Sequence, residues 1–297
     1  MRDVRYVLGP MRLPFLLLAP ACVVLGVAVA LRTSGTVRPS EVALVLLGAV
    51  AAHISVNAFN EYCDFRSGLD GRTVRTPFSG GSGSLPEKPG MARWALLTAG
   101  LTLAITAGIG VYFLLIRGLA LLPVGCLGFV VIVAYTPWLT RRPILCLLAP
   151  GVGFGPLMVL GTQFALTGEY SWNGFVASLV PLFLVSNLLL LNQFPDVLAD
   201  RSVGRRHVLI LLGPRGGSLI YSLFLLLNYL AILGGVIWAY LPTACLLGLT
   251  TVCIALPAAI GVFRYAETIE KLIPYLAMNV ILTLATPVLV AVGLFIG

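Results

Sequence analysis

Asn60, Asp64 and Asp70 form one set of closely spaced polar residues and Asn192, Asp196 and Asp200 form another, each just beyond an apolar stretch. Carboxylates beside so much apolar sequence are costly unless they pair, bind a cation or line a water-filled cavity. Of the eleven acidic residues, Glu61, Asp64, Asp70, Glu87, Asp196 and Asp200 fall within two segments, 60–91 and 193–216. Such a pair of clusters suits the binding of a polyanion through divalent metal. Magnesium takes one or two carboxylates together with phosphate oxygens and water, so two facing aspartate sets can each hold an ion and grip one diphosphate between them. Arg141, Arg142, Arg201, Arg205 and Arg206 offer forked donors for the remaining phosphate charge, although Arg201 and Arg206 fit equally well as ordinary loop charge.

The spacing places these groups on helices. His53, Asn57, Asn60 and Asp64 recur at intervals of four, three and four, which gives one polar stripe at the end of a helix. Asn192, Asp196 and Asp200 repeat the pattern, with Pro195 positioned to start a fresh turn. The shared Asn-x-x-x-Asp spacing hints at a degenerate internal repeat. Between Asp70 and the next apolar run lies TPFSGGSGSLP, residues 76–86, whose glycines permit close backbone approach and whose amides and hydroxyls, Ser79 included, can surround an anion.

The elements that carry these residues are membrane spans. With 59% hydrophobic and 10% charged residues and a mean hydropathy of +1.02, the 297-residue chain is too apolar for a soluble domain. Apolar runs near 13–31, 41–59, 92–115, 118–135, 142–166, 172–192, 217–240, 242–263 and 273–296 approach the roughly 20 residues needed to cross hydrocarbon. The expected fold is therefore all-α: a polytopic membrane protein of nine transmembrane helices around a central cavity, in a single domain over 1–297. The first run is too long for a removable signal peptide and lacks a small-residue cleavage site, so it is expected to stay as the first helix.

Of the nineteen Lys and Arg, Arg2 among them, only Arg32, Arg38 and Arg117 fall on one side of this arrangement. The asymmetry places the N-terminus and both carboxylate segments in the cytoplasm, with four helices between the segments returning the chain to the same face. The net charge of +8 is thus mainly a topology signal, with attraction to anionic lipid headgroups as a second effect, and nothing about it requires nucleic acid. The six cysteines lack metal-ligand spacing; Cys22, Cys126, Cys146, Cys245 and Cys253 read as small buried hydrophobes, and Cys63 alone falls near the carboxylates.

Three stretches at these positions, NEYCDFRSGLD (60–70), PFSGGSG (77–83) and NQFPDVLAD (192–200) followed by Gly204, Arg205 and Arg206, resemble the UbiA superfamily of intramembrane prenyltransferases. The resemblance runs from Gly9–Pro14 to Met278 and Asn279. It implies that Asp64 and Asp70 hold one magnesium ion and Asp196 and Asp200 a second, that Asn60 and Asn192 orient the diphosphate, and that Arg12, with Arg75, Arg141, Arg142, Arg205, Ser79 and Tyr135, helps bind substrate. Glu61 stands where many members have aspartate, and Arg141 or Arg142 where a lysine is frequent. The implied reaction is electrophilic aromatic substitution. Diphosphate leaves an allylic C1, and an electron-rich ring attacks the cation, which Tyr62, Phe78, Tyr135 or Trp138 can stabilise through its ring face.

The glycine-rich stretch and residues 155–161 look most like the menaquinone branch, which implies a polyprenyl diphosphate donor and 1,4-dihydroxy-2-naphthoate as acceptor, at a bacterial-type cell membrane. 4-Hydroxybenzoate, homogentisate, haem, chlorophyllide and glycerol-phosphate lipids are the acceptors of other branches. Gly151, Gly153 and Gly155 are expected to serve close helix packing, with Pro150 and Pro156 able to open the helix at the cavity. Two other classes fit less well: a cation-coupled transporter would keep its carboxylates near the bilayer midplane, and a CDP-alcohol phosphotransferase would hold its aspartates in one continuous motif.

Overall fold

The computed structural model describes residues 4–297; Arg2, one of the basic residues counted above, lies outside the described residues. The chain is helical throughout, with no strand among the described residues. Eight helices are long and apolar enough to cross a bilayer: α1 (Leu13–Ser34), α2 (Pro39–Ser67), α3 (Pro89–Arg117), α5 (Pro143–Thr167), α6 (Trp172–Asn192), α7 (Val208–Ile237), α8 (Thr243–Tyr265) and α9 (Ile269–Ile296). The segment expected as a further span, α4 (Leu119–Ala134), is apolar but shorter.

The differences from the expected boundaries have local causes. Helix α2 continues through Ser67 and ends on Gly68 at φ 75°, so Asn60 and Asp64 project from the helix, as their spacing predicts, and the segment expected from residue 60 starts only at Gly68. The second segment is shorter than expected because helix resumes at Val208; Gly213 (φ 70°, ψ 178°) then breaks it and Pro214 restarts it, which is why the sequence reads as loop as far as 216. In α5, the stretch Gly153–Leu160 is a π-helix around Pro156, a form that recurs at functional sites. The first nine residues of α8, Thr243–Thr251, are 3-10.

Helix α6 is the hub. Two-thirds of its apolar window (67%) is enclosed, against 11% for α3, so α3 is left to face lipid. It packs on α5, α7 and α9, and Val180, Leu184, Val185, Leu190 and Leu191 sit in the main core with Leu25, Tyr221, Ile232 and Leu282. Gly151 and Gly155 of α5 permit close approach to α6: a Cβ on Gly155 would lie 2.5 Å from the Ser178 carbonyl oxygen and 2.8 Å from the Leu182 nitrogen, whereas one on Gly153, expected to share this role, would meet only Val131 at 3.9 Å. Dispersion over such close backbone contact is what holds helices together where lipid is as apolar as the side chains. At the end of the bundle away from the carboxylates, Arg117 donates to the carbonyls of Ala165 and Leu166, both at 2.9 Å, and pairs with buried Glu41.

Candidate active site

The ends of α2 and α6, the following segments and the turn before α1 converge at one end of the bundle on a polar pocket lined by Asn60, Asp64, Asp70, Asn192, Asp196, Asp200, Arg12 and Arg205. Both carboxylate sets therefore share one cavity. Arg205 is the link: its guanidinium pairs with Asp64 and, at 2.9 Å, with Asp200. Burial works against its charge, but the two carboxylates outweigh that and hold the group more firmly protonated than usual.

Two carboxylate oxygens in this pocket have no partner. Asp70 Oδ2 and Asp196 Oδ1 are buried and accept no hydrogen bond. Burial first, and the neighbouring Glu61 and Asp64, push the Asp70 carboxyl up to about 7. Burial and Asp200 do the same for Asp196, also to about 7, with Arg205, Arg12 and the Gly80 amide opposing. Unpartnered oxygens among like charges call for a cation. No three His, Cys, Asp or Glu side chains among the described residues converge into a protein-only metal cage.

Arg12 and Glu61 brace the other side. Arg12 sits between two 3-10 turns at φ 52°, an unusual conformation for a residue with a Cβ. Its Nε donates to Glu61 Oε1 at 2.9 Å, and its Nη2 to Asn60 Oδ1 at 3.2 Å. The Asn60 amide in turn donates to Thr136 Oγ1 at 3.0 Å, which fixes its orientation. Glu61 is fully buried and also accepts the Ser82 amide at 2.7 Å and the Ser82 hydroxyl at 2.9 Å. The position that departs from the aspartate pattern thus ties Arg12 to the glycine-rich stretch. That stretch borders the pocket, with Ser79, Gly80 and Gly81 lining its wall beside Asp196. Gly80, Gly81 and Gly83 all have positive φ (86°, 71° and 75°), a path that only glycine follows without strain.

Other expected residues fall into two groups. Asn192, Tyr135, Phe78 and Ser79 line the polar pocket, the Ser79 hydroxyl lying 2.8 Å from that of Thr76. Arg75 turns toward Glu87 (3.7 Å) and the Gly83 carbonyl, while Arg141, Arg142 and Trp138 are exposed; none of these four lines the pocket, nor does Tyr62. Of the cysteines it is Cys146, not Cys63, that lines it, and Cys146 accepts from Gln193 Nε2 at 3.3 Å. Sequence reasoning also missed His207, whose Nε2 lies 3.1 Å from Asp200 Oδ2. An acid-adjacent histidine just after Arg205 and Arg206 was the available signal.

A second cavity of about 540 Å³ adjoins the first and shares Arg12, Asn60, Tyr135, Leu189 and Asn192 with it. Its walls, from α1, α2, α3, α4, α6 and the π-helical part of α5, are almost wholly apolar and include Phe15, Phe113, Phe129, Phe154 and Met158. A charged mouth thus leads into a greasy chamber within the bundle, which suits an amphipathic substrate with a polyanionic head.

Residues 17–295 match the family model described as the UbiA prenyltransferase family. The chain is 28% identical over 203 residues to the 1,4-dihydroxy-2-naphthoate octaprenyltransferase of Bacillus subtilis, a match covering 65% of this chain and 61% of that protein, under two-thirds of its length. It is 29% identical over 256 residues to the Mycobacterium tuberculosis protein of the same name, covering 78% of this chain and 77% of the relative. Among solved structures, a UbiA homolog from Aeropyrum pernix K1 superposes with a TM-score of 0.67 at 18% identity, covering 94% of this chain and 96% of that one. A homolog from Archaeoglobus fulgidus, bound to GPP and Mg2+, gives 0.57 at 14% identity, covering 97% and 99%. The chain belongs to the UbiA prenyltransferase family.

Proposed function

We propose that this protein transfers a prenyl group from a polyprenyl diphosphate to an electron-rich aromatic acceptor, 1,4-dihydroxy-2-naphthoate in the reading supported best, with release of diphosphate. The observation that carries this is the continuity of a polar pocket bearing four aspartates with an apolar cavity of about 540 Å³. The names of the Bacillus and Mycobacterium relatives support the naphthoate, and the ligands of the Archaeoglobus homolog support an allylic diphosphate with magnesium.

In this reading Asp64 and Asp70 hold one magnesium ion and Asp196 and Asp200 a second. Bound there, magnesium neutralises the diphosphate and makes it a better leaving group. Arg12 and Arg205 present guanidinium donors to the same oxygens, and Asn60 and Asn192 orient them at the junction of the two cavities. The wall formed by Ser79, Gly80 and Gly81 excludes water while the C1–O bond breaks, so that the acceptor ring, and not solvent, captures the allylic cation; the attacked ring carbon then gives up its proton, or its carboxyl group as CO2, and the ring regains aromaticity. Tyr135, which lines both cavities, presents an aromatic side chain at the junction where that cation forms. The isoprenoid tail lies in the apolar cavity and in the surrounding lipid. With the basic face toward the cytoplasm, the protein takes its water-soluble substrate from that side of the cell membrane.

The test is incubation of purified protein, in lipid nanodiscs with magnesium, with prenyl diphosphates and a panel of aromatic acceptors, followed by product mass. A prenylated naphthoate supports the reading, and transfer to a different acceptor corrects its second half. Binding of prenyl diphosphate without transfer to any aromatic acceptor overturns it.

A further inference from the structure

One side chain in the apolar cavity has no role in the site described so far. His53 lies on α2 two turns, about 10 Å, deeper into the bundle than Asn60 and on the same helical face. It is 5% exposed and lines the apolar cavity. Its ring meets Phe154 edge-on, with centroids 4.7 Å apart. Its Nδ1 is buried without a hydrogen-bond partner, and it is the one such side-chain atom among the described residues lining this cavity. The polar neighbours are already engaged: Asn57 donates to the Met11 carbonyl at 3.1 Å, Thr106 to the Thr102 carbonyl at 2.9 Å, and Asn60 is held between Arg12 and Thr136.

An imidazole nitrogen left unpaired among apolar walls is matched by a ligand group that needs a partner in the same place. The prenyl tail has none. The acceptor does: its ring carbon must come within about 3.5 Å of the prenyl C1, and C1 is tied to a diphosphate anchored at the mouth. A hydroxyl on the side of the ring away from the diphosphate then points down the cavity, away from the aspartates. We propose that His53 is an acceptor-recognition residue that hydrogen-bonds this hydroxyl, thereby setting which ring carbon faces C1 and favouring phenolic acceptors over their ethers. The inference rests on the prenyl-transfer reading above and deepens it.

The experiment compares wild type, His53→Leu and His53→Gln as full-length protein in nanodiscs. Separate KM values are measured for prenyl diphosphate and 1,4-dihydroxy-2-naphthoate, alongside the rate with a monomethyl ether of the naphthoate and magnesium-dependent prenyl diphosphate binding without acceptor. His53→Leu is expected to lower kcat/KM for the naphthoate roughly tenfold to a hundredfold and to erase the preference over the ether, with donor KM and donor binding unchanged. His53→Gln, which keeps a hydrogen-bonding group, is expected to recover part of the loss. Unchanged donor binding also certifies that the variants are folded. A rise in donor KM, or wild-type acceptor kinetics in His53→Leu, overturns the assignment and makes His53 a packing partner of Phe154 and the prenyl tail. A wild-type protein that binds the diphosphate yet prenylates no aromatic acceptor overturns the functional reading itself, a result the donor-binding arm keeps distinct.

Discussion

At the scale of single residues, the pocket is a balance of four aspartates and Glu61 against Arg12 and Arg205. Asp64→Ala or Asp196→Ala removes one member of each aspartate set, and turnover is expected to fall by roughly a hundredfold or more in protein that still folds. Rates near wild type at matched magnesium would remove these residues from the metal site. Glu61→Ala is expected to act differently, because it strands the Arg12 guanidinium and releases the Ser82 stretch. Breaking a buried pair from one side costs about 3 kcal/mol or more, so this variant should show a lowered Tm as well as lowered activity. Asp70 and Asp196, held at about 7 against an ordinary 3.8, give a pH signature. Between these values the folded metal-free protein binds more protons than the unfolded chain, so its stability falls as pH rises from about 4 to 7. Magnesium competes with those protons, and the Tm increase that it produces should therefore be larger at pH 8 than at pH 5.5. An equal increase at both values would place the ion elsewhere. The aspartates and asparagines were legible because carboxylates are rare in so apolar a chain. Glu61 was visible only as a departure from a pattern, since its partners Arg12 and Ser82 lie far away in sequence and nothing local announces the contact.

At the scale of elements, the long helices were legible from hydropathy alone, and their ends were not, because termini depend on backbone breaks. The carboxylate end of α2 reads as loop by hydropathy, although the four-three-four spacing of its polar residues already marks the stripe that the helix carries through Asp64 to Ser67. The reverse holds at Gly213 and Pro214, where a break within α7 made the loop look longer. The glycine-rich segment is the element most open to test. A valine at Gly80 or Gly81 must adopt a strained positive φ, and its Cβ would come within 2.9 Å of Arg75 Cα in one case and 3.1 Å of Glu61 Oε1 in the other. The double substitution is expected to pull the stretch off Glu61, lowering transfer and raising the share of prenyl diphosphate lost as prenyl alcohol. Normal transfer with no alcohol formed would make the segment a passive connector.

At the scale of the whole molecule, the arrangement turns on parity. Asp64 and Asp200 are bridged by Arg205, so the chain that leaves the end of α2 must come back to the same face by the end of α6. Helices α3, α5 and α6 supply three crossings, an odd number, so by parity we infer a fourth from the short α4. Its sixteen residues reach roughly 24 Å as helix, enough for a thinned or enclosed part of the hydrocarbon, and its connection to α5 passes through Thr136 and Thr140, which lie beside the site. The skew of basic residues is expected to set the sign of the whole arrangement, and the orientation we propose puts the site on the cytoplasmic side. In a background lacking the two exposed native thiols, Cys126 and Cys253, single cysteines at Thr76 and Gly204 should both react with an impermeant reagent applied to inside-out vesicles. A cysteine at Tyr170, between α5 and α6, should react only in right-side-out vesicles. Labelling of Thr76 and Gly204 from opposite faces would contradict the Arg205 bridge and, with it, a shared site; labelling of both from outside would keep the bridge and invert the orientation. The parity argument and the charge argument are independent, which is why one set of three cysteines separates their failures.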